Sequence, residues 1–246
     1  MHEIDAKGVY YRVLNERVRA AMAAGHKDIL LKNVNGQYYI GDGLRGGDVK
    51  ITVEGVPGND LAAFMDGPTI IVRGNAQDNI GNTMNGGKVV IHGNAGDVLG
   101  YGMRGGKLHI LGDVGYRVGI HMKGYKKQTP VIVCGGGAGD FFGEYMAGGV
   151  LILLGLKEES GRPIAGDYLG TGMHGGVIFV RGDVDRTRCG AEVGITAPND
   201  DDMKTLKECL TDFCNDFSLN LDSVMKKGFK KLSPASLRPY GNLYAY

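Results

Sequence analysis

The chain has 246 residues, 43% of them hydrophobic, with 43 glycines and seven prolines. Glycine at more than twice its usual share beside so little proline excludes collagen and proline-rich disorder, and 28 basic against 27 acidic residues lack the surplus that phosphate backbones demand. No apolar run approaches the roughly 18 residues of a membrane span. Four cysteines are too sparse for a disulfide framework and no signal sequence precedes them, so a reduced, cytoplasmic protein is expected.

In chain order, residues 1–40 read as an N-terminal capping segment. Val9, Leu14, Val18 and Met22 recur at helix-compatible intervals within Ala6 to Ala24, which predicts an amphipathic helix stopped by Gly25. A strand at Ile29-Leu30-Leu31 follows.

Residues 41–197 are repetitive. A Met-x-Gly-Gly phrase leading into a β-rich run stands at Met84, Met103, Met146 and Met173, with weaker copies at Leu44, Met65 and Met122. These anchors are 21, 19, 19, 19, 24 and 27 residues apart, so 19 is the basic period. Three places before each anchor stands a glycine, at Gly41, Gly81, Gly100, Gly119, Gly143 and Gly170, with Ala62 the exception. A residue free to adopt φ > 0 at fixed intervals marks a recurring backbone corner. Each copy then enters a short aliphatic strand such as Val89-Val90-Ile91 or Val177-Ile178-Phe179-Val180. Most strands end at a Gly-Asn or Gly-Asp turn, as at Gly93-Asn94 and Gly112-Asp113.

A period of 19 is too short for a propeller blade, and the Leu-x-x-Leu-x-Leu frame of leucine-rich repeats is missing. The pattern predicts a mainly β fold, a single-stranded right-handed parallel β-helix of about seven coils, each coil strand, corner, strand, corner. Stacking at about 4.8 Å would line the anchor methionines into one internal column on the order of 30 Å tall. The two long intervals are polar insertions, near Gly124 to Thr129 and Lys157 to Arg162, expected to protrude as loops. In residues 198–246, Met203, Leu206, Leu210, Phe213 and Phe217 are spaced by three and four, predicting a second helix over Asp200 to Asp216 followed by a tail. Both helices are expected to cap the solenoid ends.

Chemistry is sparse. Gly100 to Gly105 and Gly170 to Gly175 each match G-x-G-x-x-G, but a dinucleotide fingerprint follows a strand and opens a helix, whereas these are corners that lead into strands. Gly135 to Asp140 lacks the Gly-Lys-Ser/Thr of a phosphate cradle and reads as one more corner. The six histidines include no pair at metal-ligand spacing, and Cys209 and Cys214 read as packing residues on a helix. No catalytic, cofactor-binding or metal-binding residue is assigned. Six residues before the anchors, Asp78, Asp97, Asp140 and Asp167 recur, with Tyr116 interrupting. Two readings stay open for this stripe: each carboxylate caps its own turn, which is favoured, or the stripe faces a partner. The basic set Arg117, His121, Lys123, Lys126 and Lys127 is either a solvated loop or an interface patch.

The phrases Gly81-Asn82-Thr83-Met84, Gly143-Glu144-Tyr145-Met146-Ala147-Gly148-Gly149 and Gly170-Thr171-Gly172-Met173-His174-Gly175-Gly176 resemble the C-terminal GXGXG domain of glutamate synthase, over roughly Ile4 to Val184. The likeness is to the form encoded as a separate chain. It implies a noncatalytic right-handed β-helix that joins a glutamine amidotransferase to an FMN and iron-sulfur synthase component and supports ammonia transfer between them. FMN and clusters would sit on those partners, with none in this chain, and a homo-oligomer is also expected. Only the corner glycines Gly81, Gly100, Gly119, Gly143 and Gly170 and the anchors Met84, Met103, Met122, Met146 and Met173 carry over position by position. Position 2 is His2, where that enzyme's amidotransferase has a nucleophilic cysteine. The glycine-repeat subunit of formylmethanofuran dehydrogenase, part of a tungsten or molybdenum enzyme, shares the same repeat and is the alternative resemblance. A free-standing protein-binding β-helix is the third reading.

Overall fold

The computed structural model describes residues 1–157 and 163–235. The insertion at Lys157 to Arg162 and the tail beyond residue 235 therefore lie mostly outside the described residues. Strands β1 (His2–Asp5), β2 (Asp28–Asn35), β3 (Lys50–Val56), β4 (Thr69–Val72), β5 (Lys88–Ile91), β6 (Lys107–Ile110), β7 (Val131–Cys134), β8 (Ala147–Leu153) and β9 (Gly175–Arg181) pair in sequence order, all parallel. The molecule is a parallel β-solenoid of about six turns, because seven anchors enclose six intervals. Two antiparallel strands, β11 (Phe229–Pro234) against β9 and β10 (Val193–Thr196) against β11, finish the sheet.

Each coil contributes one regular strand, where strand, corner, strand, corner was expected. On the remaining sides only isolated bridges form, such as Val114 with Ala138 and Ala138 with Ala165. Coil-to-coil backbone bonds continue there singly: Ala76 N–H to Asn94 O, Ala95 N–H to Asp113 O, Gly81 N–H to Leu61 O and Gly100 N–H to Ile80 O. The Gly-Asn and Gly-Asp dipeptides explain the irregularity, since their side chains replace part of the ladder. Asn75 Oδ1 accepts from Asn94 N–H, Asn94 Oδ1 from Asp113 N–H and Asp113 Oδ1 from Gly137 N–H, at 2.8 to 2.9 Å. Glycine precedes each because the side chain of the coil below fills the space: a Cβ on Gly93 would stand 2.2 Å from Asn75 Oδ1, and on Gly112 2.0 Å from Asn94 Oδ1.

The anchors Met65, Met84, Met103, Met122 and Met146 are fully buried, and Met173 nearly so. They share one core with the inward strand residues Val89, Ile91, Leu108, Ile110, Ile132, Leu151 and Ile178. The corner glycines face this core: a Cβ on Gly100 would lie 2.4 Å from Ile132 Cδ1, and on Gly143 2.5 Å from Ile178 Cδ1. Positive φ alone does not demand glycine here. Two residues to either side of each corner, non-glycine residues such as Val98, Arg117 and His121 hold φ between +55° and +61°; no core atom occupies the space their side chains need.

The helices divide their roles. Helix α1 (Tyr11–Ala23) buries Leu14, Val18 and Ala21 in the solenoid core, and ends in a Schellman motif, with Gly25 N–H on Met22 O and His26 N–H on Ala21 O. It starts later than the predicted Ala6, because β1 and the turn at Lys7-Gly8 take up the first ten residues. Helix α2 (Asp200–Phe217) carries a full capping box at Asn199 and Asp202, but it does not cap an end. It lies along the outer face of the sheet, packing Leu206, Leu210, Phe213 and Cys214 on Val131, Val133, Val150, Ile152 and Phe179. The C-terminal end is finished by β11, leaving α2 free for the flat apolar face. The short helix α3 (Leu221–Met225) leads from α2 to β11.

Candidate interaction face

The corners form one edge of the solenoid, and the side chains flanking them stack in columns one coil apart. Two residues before each corner stand Tyr39, Asp60, Asn79, Val98, Arg117, Phe141 and Tyr168; two after stand Gly43, Phe64, Thr83, Gly102, His121, Tyr145 and Gly172. All fourteen positions have φ > 0. In the later coils the columns become ladders. The Arg117 guanidinium lies 4.5 Å from the Phe141 ring centre, and Phe141 stacks on Tyr168 at 4.8 Å and 8°. Alongside, His121 stacks on Tyr145 at 5.4 Å and 9° and meets Tyr101 edge-on at 5.8 Å. The Tyr145 ring fills the space above Gly172, where a Cβ would lie 2.4 Å from it. Tyr101, Tyr116, Tyr145 and Tyr168 nonetheless remain 42–55% exposed.

The charged residues singled out from sequence all border this edge. Asp78 Oδ1 accepts from Asp97 N–H, Asp97 Oδ1 from Tyr116 N–H and Asp140 Oδ1 from Asp167 N–H, at 2.8 to 2.9 Å. The stripe therefore bonds the next coil, where each carboxylate was expected to cap its own turn. Asp167 takes the Arg188 guanidinium at 2.7 Å, and Glu144, largely buried, takes Arg117 Nε at 3.0 Å. Lys126 and Lys127 occupy the tip of the first insertion, closed by reciprocal Tyr125 and Gln128 backbone bonds. Lys126 sits at φ +56° with its Nζ 5.2 Å from the Tyr125 ring centre.

A second charged cluster escaped sequence reading. On the sheet face under α2, His109 is fully buried with Nδ1 2.6 Å from Asp216 Oδ2. Lys88 Nζ bridges Asp212 and Asp216 at 2.7 Å each, and Lys107 also reaches Asp212. Burial opposes charge on Asp212, but the hydrogen bonds of Lys107 and Lys88 outweigh it and bring its carboxyl to about 2. Burial pushes His109 below the ordinary histidine value despite the Asp216 bond. Its ring is thus neutral, with Nδ1–H donating to Asp216 and Nε2 without a partner. The cluster lies between helix and sheet, with Phe213 edge-on to the buried imidazole at 5.5 Å and Lys107 at its open rim. It ties α2 to the sheet. Asp212 and Asp216 lie four apart on one helix face, and Lys88 and Lys107 one repeat apart; matching those two spacings would have found it.

Among the described residues no three His, Cys, Asp or Glu side chains stand close enough to hold a metal ion, and no helix is long and apolar enough to cross a membrane. Burial raises the Cys134, Cys189, Cys209 and Cys214 thiols, which suits packing and not nucleophilic attack. The fold and its face define a glycine-cornered β-solenoid with an exposed aromatic edge. The chain belongs to the GXGXG motif family, which matches residues 19–236 and so runs past Val184, where the resemblance was expected to end. It is 46% identical to the uncharacterized protein MJ1350 of Methanocaldococcus jannaschii, over 98% of this chain and 95% of that protein. Among solved structures, it is similar to a chain of the formyltransferase/hydrolase complex (FhcABCD) from Methylorubrum extorquens in complex with methylofuran. The TM-score is 0.67 at 21% identity, over 96% of this chain and 92% of that one, a likeness of fold.

Proposed function

We propose that this chain is a noncatalytic scaffold subunit of glutamate synthase, joining glutamine amidotransferase and FMN/iron-sulfur synthase chains and supporting ammonia transfer between them. The observation that carries this reading is the GXGXG match over most of the chain, on a solenoid whose repeated glycines and methionines are all spent on corners and core. Redox chemistry then belongs to the partners, and this chain supplies a rigid rod with an exposed edge. A second reading, a scaffold like the glycine-repeat subunit of formylmethanofuran dehydrogenase, is favoured by the shared fold with a chain from a complex that holds methylofuran. Both readings make the protein a member of a multi-chain assembly. Anaerobic, low-salt affinity purification of the tagged chain from its own host, with mass spectrometry of what stays bound, separates them. Amidotransferase and FMN-dependent synthase chains would support the first, and tungsten or molybdenum enzyme chains the second. A stable, partner-free chain would sink both.

A further inference from the structure

We propose that the edge from Tyr101 to Tyr168, with the Lys126-Lys127 hairpin tip, is the docking surface for an acidic patch on a partner subunit. The proposal rests on the scaffold reading and adds the place and chemistry of the contact.

Charge is segregated along this edge, with the acidic stripe on one border and the basic residues toward the hairpin. From Val114 to Gly139 the chain has no Asp or Glu, yet it carries Arg117, His121, Lys123, Lys126 and Lys127, in a protein whose net charge is only +1. Of the carboxylates bordering the edge, Glu144 is paired with Arg117 and Asp167 with Arg188, and Asp140 accepts the Asp167 N–H. Lys126 and Lys127 are left side by side and exposed at the tip of a closed hairpin. Like charges held together on a rigid element are relieved by an opposing acidic surface, which also speeds encounter.

The aromatic residues add a contact area. Phe141, Tyr145 and Tyr168 hold φ of +63°, +51° and +62°, positive like all fourteen corner-flanking positions, so the corner geometry sets their backbone. Their stability role is small, because the rings of Tyr145 and Tyr168 are half exposed. Tyrosine and arginine are the residues that anchor protein interfaces. Here they are pre-stacked, so little side-chain freedom is lost on contact.

The test uses the full-length tagged chain in its own host. The K126E/K127E variant is expected to recover at least tenfold less of the wild-type partner at low salt, with an unchanged melting temperature, while K126R/K127R and the α2 control K204E recover it fully. A photo-crosslinking residue in place of Tyr145 should label a partner segment rich in Asp and Glu. Wild-type-level recovery by K126E/K127E, or crosslinks to a non-acidic segment or to nucleic acid, would overturn the docking proposal and leave the scaffold reading standing. No partner chain recovered with the wild type would overturn both.

Discussion

Two faces of the same solenoid end differently. The outer face of β6 to β9 is covered by α2, whereas the corner edge one side away stays open, although it carries more aromatic residues. Along the sheet, the two outward positions per strand run Lys50 and Thr52, then Thr69 and Ile71, Lys88 and Val90, Lys107 and His109, and then Val131 and Val133, Val150 and Ile152, Val177 and Phe179. Polar coils give way to apolar ones, and α2 spans the change with apolar residues over β7 to β9 and Asp212 and Asp216 over Lys88 and Lys107. Those carboxylates sit near the C-terminal end of α2, where the helix dipole disfavours them, and the lysines offset that cost. Phe179 and Phe213 are hidden with the aliphatic residues beneath α2, while the tyrosines of the corner edge stay exposed.

The comparison breaks most directly at Phe213. It is fully buried between α2 and the sheet, so Phe213→Ala should destabilise by about 3–5 kcal/mol, read as a lower denaturation midpoint. Hydrogen exchange should lose protection first in residues 200–217, with β2 to β6 still protected. Equal loss throughout would show that α2 and the solenoid fold as one unit and that the two faces are not separable.

The same covered face should respond to pH. His109 is packed against by Asp216, Asp212 and Phe213 of α2 and stands beside Lys88 and Lys107 of the sheet. Its folded pKa is depressed, so the unfolded chain binds the proton more readily. Stability conferred by the neutral ring is complete above the unfolded value near 6.5 and is lost as pH falls from there toward the folded value. The slope can reach about 1.4 kcal/mol per pH unit for one proton. Melting curves from pH 7.5 to 5 should show this fall, and His109→Asn should flatten it. Asp212 adds a separate loss only at lower pH, on the way down to its value of about 2.

How much of this was legible follows from what each signal encodes. The solenoid is written in a recurring spacing of glycine and methionine with a basic period of 19, because a corner that faces the core favours the smallest residues, glycine at six corners and Ala62 at the seventh. The position of α2 is not local in that sense. Its apolar stripe, Leu206, Leu210 and Phe213, is the same whether it caps an end or covers a sheet, and only the outward column from Thr52 to Phe179 tells the two apart. β1 was missed because His-Glu-Ile-Asp has a single apolar residue and pairs only at the sheet edge, with β2. The acidic stripe is visible in the sequence, which favours capping of its own turns over a partner-facing role, since sequence spacing cannot tell an N–H two residues on from one a coil away.

That last distinction gives a smaller prediction for the open edge. Asp97 bonds Tyr116 N–H one coil on at 2.9 Å, and a single such bond is worth about 0.5–1.5 kcal/mol. Asp97→Ala should lose that much, while Asp97→Asn, which keeps an acceptor oxygen in place, should lose little. If Asn costs as much as Ala, the carboxylate's charge matters and the stripe is more than a ladder.

The smallest effect on stability is expected at a residue on the proposed docking edge. Tyr145 is 44% exposed and packs mainly on His121 and over Gly172. Removing it forfeits one exposed ring contact, so Tyr145→Ala should change unfolding free energy by no more than about 0.5 kcal/mol, as surface substitutions do, and its unfolding curve should overlie the wild type. Tyr145→Gly should even gain, since glycine holds φ +51° without strain. Recovery of partner chains by the same Ala variant should nevertheless fall several-fold. That pair of outcomes, stability kept and recovery lost, would mark the open edge as a docking surface. If Tyr145→Ala instead destabilises like Phe213→Ala, the ladder belongs to the core and the contrast between the two faces collapses.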